Sequence, residues 1–202
     1  SMYTREKAKV ALSGDGADEI FSGYNKHMAE FIARENGLKN KIIFAGRPIW
    51  KILPKSRNSK VGNLNRQLLR FADGIKKGNT QRYWDWAGIL KDNQAADFLK
   101  NPNKLQFEAD KKTLLHPELE SDDFNGVLFQ DVNQVLVSDM LTKVDLNSMN
   151  NSLEVRVPFL DHKVVEFAFQ IPQEFKIQKG IKKKILQETF RNDLPDELFK
   201  RP

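Results

Sequence analysis

The sequence predicts a mainly α-helical chain with one or a few short strands. Three observations carry that expectation. Apolar residues recur at helical spacing in four separate stretches. Only Lys9-Val10-Ala11-Leu12 reads as a short buried strand, and it runs straight into the loop Ser13-Gly14-Asp15-Gly16. No long linker, internal repeat or low-complexity tract divides the 202 residues.

The elements follow in chain order. Lys9–Leu12 has the unbroken apolar character of a central strand covered on both faces. Its sheet partners are not obvious downstream. After the loop, Ile20, Tyr24, Met28, Phe31 and Ile32 recur at helical spacing, with Ser22-Gly23 as a break or kink and Gly37 as a stop. Leu64, Leu68, Phe71, Ala72 and Ile75 form a second stripe. Phe129, Val132, Leu136, Met140 and Val144 form a third, on the longest expected helix. Val164, Phe167, Ala168 and Ile171 form a fourth, capped by Asp161 and ended by Pro172. A last helix is expected over 181–191. The basic stretch Leu53–Lys60, Asn101-Pro102-Asn103 and the acidic Glu118–Asp123 read as loops. The lone strand and the stop at Lys200-Arg201-Pro202 make both ends look like cuts inside a larger domain. A sheet cut in this way exposes apolar surface around Val10 and Leu12. It predicts self-association, of which a homodimer is the simplest form.

Composition narrows the function. With 40% hydrophobic and 30% charged residues, the chain is neither a disordered tail nor a membrane protein. No apolar run approaches the roughly 20 residues of a bilayer span. The absence of cysteine excludes a disulfide scaffold, a thiolate metal site and a cysteine nucleophile. His27, His116 and His162 are too scattered to form a zinc motif. The opening residues have no apolar core of a secretory signal, which with the lack of cysteine points to the cytoplasm. The net charge of +6 invites an anionic partner, but many solvated lysines give the same balance. A basic helical module binding nucleic acid or a protein is therefore the rival function. Against it, no aromatic residues interleave with a basic stripe, and Trp84 and Trp86 flank Asp85. Neither nucleic acid nor membrane is expected as a partner.

Ser13-Gly14-Asp15-Gly16-Ala17-Asp18-Glu19 is the segment richest in chemistry. A loop that leaves a strand and opens a helix gathers backbone N–H groups, which suits a phosphate. Gly14 and Gly16 let the backbone approach a ligand, and Ser13 adds a hydroxyl. Asp15, Asp18 and Glu19 crowd the same place. Acids beside phosphate make sense with a divalent cation between them, and Asp18 is a plausible Mg²⁺ ligand. The bland reading is a Gly-Asp-Gly turn with acids stabilising a first helical turn. The spacing alone leaves both open. Ser152–His162 reads as extended, because Pro158 biases Val157 away from helix. Glu154 and Arg156 share one side of it, as a structural ion pair more than a substrate contact. His162 reads as a surface or capping residue. In Lys179-Gly180-Ile181-Lys182-Lys183-Lys184, at most one or two lysines can reach a common site.

Leu12 to Tyr24 closely resembles the second nucleotide-site motif of glutamine-dependent asparagine synthetases. Asp139-Met140-Leu141-Thr142-Lys143-Val144-Asp145, then Ser148-Met149 and Ser152–His162, resemble the same family's C-terminal signature. Gly180-Ile181-Lys182-Lys183 followed by Leu186 is similar to a third block. The matches keep their order along nearly the whole chain. The resemblance implies that residues 1–202 are a partial synthetase domain, the C-terminal portion of an adenine nucleotide α-hydrolase-like α/β domain. It implies an enzyme that adenylates the aspartate side chain with MgATP and amidates it with ammonia from a glutaminase domain of the same full-length chain. By the resemblance, Ser13 and Gly14 contact ATP, Asp15 is tied to forming the acyl-adenylate, and Asp18 helps hold Mg²⁺ and pyrophosphate.

The departures are also specific. The family's Ser-Gly-Gly-x-Asp-Ser loop is absent, as is a cysteine for the glutaminase step. A pyrophosphate-neutralising lysine is expected just past Pro202. Leu146-Asn147 replaces a more usual basic-then-apolar pair. The chain on its own is therefore expected to be inactive. The alternative within the resemblance is another amide-forming synthetase, of the β-lactam synthetase type or one amidating a peptide or cell-wall acid.

Overall fold

A computed structural model describes residues 1–98 and 104–199. The expected loop Asn101-Pro102-Asn103 and the basic end Lys200-Arg201-Pro202 lie outside the described residues. Among the described residues the chain is mainly helical with one short sheet, as expected. It divides into two compact units, one of Ser1–Met28 with Asp123–Pro202, the other of Ala29–Asp122.

The first unit holds the sheet. Strand β1 (Val10–Leu12) pairs in parallel with β2 (Glu154–Arg156), in the register Val10 to Glu154, Ala11 to Val155 and Leu12 to Arg156. Ser13 N donates to Arg156 O and Glu154 N to Lys9 O, so the pairing reaches both ends of β1. β2 is thus the partner that sequence reading did not find. It carries two charged residues in three and lacks the apolar character of a central strand. The expectation of a fully buried β1 fails. Val10 is 40% and Leu12 74% exposed, while Ala11 is half-buried. Alternate residues face opposite sides of the pair, and β2 repeats the pattern with Glu154 and Arg156 outside. The open side therefore carries Val10 and Leu12 beside an exposed Arg156–Glu154 ion pair of 2.7 Å.

Helices pack below this pair. The break at Ser22-Gly23 is real. One helix covers Ala17–Phe21, Ser22 takes a left-handed φ of 65°, and the next helix runs Asn25–Arg34. The longest helical run is continuous from Asn125 to Met149, but its middle, Val132–Leu141, is π-helical. Asp161 caps the helix His162–Gln170 by accepting from Lys163 N at 2.9 Å. Phe167 departs from the expected stripe and is 61% exposed; Val165 and Phe169 pack inward instead. The last expected helix is shorter than 181–191. Gln178 and Ile181 form an antiparallel bridge, Lys183 is left-handed, and the helix covers only Lys184–Thr189. Ile181 is consequently 44% exposed, while Ile185 packs against the core. That core gathers Ile20, Phe21, Ala168 and Ile171, with Val132, Phe159, Val164 and Leu186 packed against them. All three motif blocks thus contribute to one apolar centre, through Ile20 and Phe21, Phe159, and Leu186.

The second unit is helical throughout its described residues. Leu38–Ala45, with Gly37 before it, is followed by Arg47–Ile52, Lys60–Gly74, Asn79–Ala87, Asp92–Ala96 and Lys104–Leu114. The acidic stretch expected as a loop begins as a 3-10 turn over Pro117–Glu120, anchored by fully buried Leu119. The stripe on Lys60–Gly74 holds except at its start, where Leu64 is 56% exposed. Phe71 stacks on Trp86 with ring centroids 5.7 Å apart. Ser59 caps that helix by accepting from Gly62 N, and Asn65 Nδ2 donates to three carbonyls of Trp50, Leu53 and Pro54. Three of those four bonds tie the basic loop to the helix it precedes, and the one to Trp50 reaches the helix Arg47–Ile52.

Candidate functional site

The loop Ser13–Gly16 leaves the carboxyl end of β1, where parallel sheets commonly hold ligands. Two glycines shape it for different reasons. Gly16 sits at φ 89°, in the left-handed region, and a Cβ there would run into the side chain of Leu160. The two motifs Ser13–Glu19 and Ser152–His162 therefore meet at two points, the β1–β2 ladder and the Gly16–Leu160 contact. At Gly14 a Cβ would find no atom within 4 Å. The backbone there borders open space, as a loop receiving a bulky anion requires. Ser13 Oγ donates to Asp15 Oδ2 at 2.6 Å, which orients that carboxylate. The helix opened by Gly16 has only five residues, so its dipole adds less than the sequence suggested.

Asp18 is held from two sides. Gly23 N donates to Asp18 O at 2.8 Å. A Cβ on Gly23 would collide with the Asp18 carboxylate, so only glycine leaves room for it. Lys183 Nζ lies 3.1 Å from Asp18 Oδ1, with about a third of each side chain exposed. Lys183 is thus the lysine of its cluster that reaches the loop. Lys184 turns away to Glu188, and Lys182 to Asn25 Oδ1. The left-handed backbone at Lys183 is what separates these directions.

Glu19 does not join the site. It is 1% exposed and accepts from Tyr24 Oη at 2.6 Å. The expected gathering of three acids therefore reduces to Asp15 and Asp18 beside the loop, with Glu19 turned into the core. Burial, followed by the hydrogen bond and charge of Glu19 and the charges of Asp18 and Asp131, pushes the Tyr24 hydroxyl far above its ordinary pKa. Beneath lies a set that sequence reasoning missed. Lys26 Nζ and His27 Nε2 reach the two oxygens of Asp131 at 2.7 and 2.6 Å. Burial alone would raise the Asp131 carboxyl. The hydrogen bond and charge of His27, with the charge of Lys26, outweigh burial and hold it below the usual carboxylate range. These residues lie 104 and 105 positions apart, and no local spacing signals the pairing. His162 is exposed, as a surface residue.

Among the described residues, no three His, Cys, Asp or Glu side chains gather as a metal cluster. Mg²⁺ needs only one or two carboxylates and takes phosphate oxygens for the rest. Asp15 and Asp18 are half-buried hard oxygen donors beside an open loop, and so fit a Mg²⁺ arriving with a polyphosphate. No helix of the described residues is long and apolar enough to cross a membrane.

The profile of the asparagine synthase family matches residues 1–202. The chain belongs to the asparagine synthase family. It is 31% identical over 204 aligned positions to glutamine-hydrolysing asparagine synthetase 1 of Bacillus subtilis strain 168, covering 98% of this chain and 30% of that protein. A putative glutamine-hydrolysing asparagine synthetase of Mycobacterium bovis is 29% identical over 98% of this chain and 29% of its own length. Asparagine synthetase 3 of Bacillus subtilis is 42% identical over 65 residues, 32% of this chain and 11% of that protein. The chain thus spans about 30% of the asparagine synthetases it matches end to end. No solved structure matches it.

Proposed function

We propose that this chain is part of an ATP-dependent amide ligase that makes asparagine from aspartate, ATP and ammonia. The ammonia is released from glutamine by a glutaminase domain elsewhere in the full-length protein, in the cytoplasm. Both units belong, in this reading, to one partial synthetase domain. The observation that carries it is the open loop at the carboxyl end of β1, with Asp15, Asp18 and Lys183 around it.

The chemistry follows from those groups. A side-chain carboxylate oxygen of aspartate attacks the α-phosphorus of ATP. The bond to the β-phosphate breaks and pyrophosphate leaves. Ammonia then attacks the acyl carbon, the bond to AMP breaks, and a proton is lost. The Gly14 backbone and Ser13 Oγ bind phosphate oxygens, the hydroxyl turning its one proton from Asp15 to the ligand as nucleotide enters. Asp15, so released, faces the forming acyl-adenylate. Asp18 would hold Mg²⁺, and Lys183, paired with Asp18 at 3.1 Å, would exchange it for a phosphate oxygen as nucleotide enters. Mg²⁺, when bound, neutralises charge on the phosphates and on the departing pyrophosphate. The remaining phosphate contacts are supplied by the rest of the protein, so the 202-residue chain alone is inactive.

Aspartate-dependent exchange of labelled pyrophosphate into ATP tests this in the full-length protein. Asp18→Asn lowers the exchange by about 100-fold, the scale of one lost charge-stabilising group. Undiminished exchange in that variant would remove Asp18 from the site. Exchange with a different carboxylic acid and none with aspartate would move the assignment to another amide-forming synthetase. Tight MgATP binding by residues 1–202 in calorimetry would refute the inactivity of the isolated chain.

A further inference from the structure

The second unit contains a cleft of about 610 Å³ that the ligase chemistry does not use. Its walls include Arg66, Arg70, Trp86, Gly88, Ile89 and Leu90. Three acids also line it, and each already has a cation. Asp73 accepts from Arg47 at 2.6 Å, Asp85 pairs with Lys77, and Asp92 pairs with Lys111 at 3.1 Å. Arg66 and Arg70 lie one helical turn apart on Lys60–Gly74 and have no carboxylate partner among the described residues.

Their existing bonds leave positive charge unanswered. One terminal nitrogen of Arg70 reaches the carbonyls of Asp85, Trp86 and Gly88 at 3.0 Å and so caps the helix Asn79–Ala87. Arg66 donates one bond, to Asn63 Oδ1, and its Nε is buried with no hydrogen-bond partner. Two like charges at this spacing repel. The repulsion is felt: burial first, then the charge of Arg66, lower the pKa of Arg70; the charge of Asp85 offsets this in part, and that of Arg57 adds to it. Arg57 comes from the basic loop Leu53–Lys60, which Asn65 ties down nearby. An arginine pair whose neighbouring acids are each ion-paired to another cation, at the wall of a cleft, is an arrangement that receives a phosphate. Exposed Ile89 and Leu90 add apolar surface to the same walls.

We infer that this cleft is a second anion site, taking a phosphate monoester with an apolar or aromatic group through Arg66 and Arg70. The inference is independent of the ligase reading, because every residue it uses lies in the second unit.

The Trp86 indole is a built-in reporter, since its Nε1 donates to Arg70 O at 3.2 Å. The test titrates the 202-residue chain with phenyl phosphate at low salt and follows the indole N–H signals of Trp50, Trp84 and Trp86. A saturable shift of Trp86, with Trp50 unmoved, is expected. Arg66→Gln should weaken it about 10-fold or more, the loss of one charge-assisted bond. Asp18→Asn should leave it unchanged. Benzyl alcohol, which lacks the anion, should bind more weakly by a similar factor. Inorganic phosphate should bind through the same arginines more weakly than the ester. A melting temperature for each variant confirms folding, and Arg57→Gln, with the loop exposed, provides a second variant with a smaller weakening. The inference fails if Trp86 shows no saturable shift, if Arg66→Gln and Arg57→Gln bind as the wild type does, or if benzyl alcohol binds equally well.

Discussion

Two charge clusters sit within one unit of the molecule and answer opposite demands. Asp131, with His27 and Lys26, is buried: Asp131 and His27 are both 0% exposed. Asp18, with Lys183, has about a third of each side chain in solvent. The first set has no route to a new partner, so its charges are architecture. The second can break its bond at small cost and offer both groups to a ligand. Exposure, more than the identity of the acids, sets how cheaply each of these two sets can open.

The comparison can be broken at its strong end. Asp131→Ala leaves Lys26 and His27 facing a void and should destabilise the chain by about 3–5 kcal/mol, read by urea unfolding at pH 7. Its depressed carboxyl pKa sets the acid limb. The stability it contributes is present above the ordinary carboxylate range and is lost as pH falls through the folded value. A loss below about 1 kcal/mol would make the buried set no different from the exposed one.

Lys176 sharpens the contrast from another side. It is fully buried, donates to Asn125 Oδ1 at 2.6 Å, lies over the Phe169 ring, and forms no salt bridge among the described residues. Burial, only partly offset by the charge of Asp123, lowers its pKa from 10.5 to about 8. A lysine lowered in the folded state binds fewer protons there than when unfolded. Stability should therefore rise with pH from about 8 toward 10, where Tyr24 begins to oppose it. The span is at most about 3 kcal/mol. Unfolding curves of wild type and Lys176→Met between pH 7.5 and 9.5 check this: the Met variant should lose the slope.

Gly16→Ala comes next. The left-handed φ and the contact with Leu160 should together cost about 1–3 kcal/mol by thermal melting. Gly14→Ala, facing open space, should cost less than Gly16→Ala. Equal costs would mean that the loop does not lean on Leu160. The smallest effect belongs to the open pair. Lys183→Ala should change stability by no more than about 1 kcal/mol, yet lower pyrophosphate exchange in the full-length protein about 10-fold or more. A variant with full exchange would confine Lys183 to a surface pair.

How much of this was legible in the sequence depends on the range of each signal. The helix break at Ser22-Gly23, the Asp161 cap and the Glu154–Arg156 pair are local, and composition within a few residues revealed them. The loop Ser13–Asp18 was also legible, because strand, glycines and acids adjoin. What failed was set by distant partners. β1 was read as buried because its residues are apolar, but burial depends on what lies over the second face, and Val10 and Leu12 stay 40% and 74% exposed. Glu19 was grouped with Asp15 and Asp18 by adjacency, while Tyr24 draws it inward. Ile181 was expected to open the last helix, which starts only at Lys184, after the left-handed Lys183. Asp131 gave no sign at all, since its partners stand more than a hundred residues away.

The π-helical stretch Val132–Leu141 has a consequence for rotation. Leu128, Val132, Leu136, Met140, Val144 and Ser148 follow one another every four residues, and none is exposed. In an ordinary α-helix each step of four overshoots a full turn by about 40°, so five steps would carry Ser148 roughly 200° around from Leu128. The wider winding of the middle segment takes up that surplus and brings the end of the helix round with its inner edge still inward. Ser148 O then accepts from Leu153 N, and β2 begins one residue later. The helix is a gear as well as a strut: removing one residue from its middle would turn the chain leaving it and throw the strand out of line with Val10–Leu12.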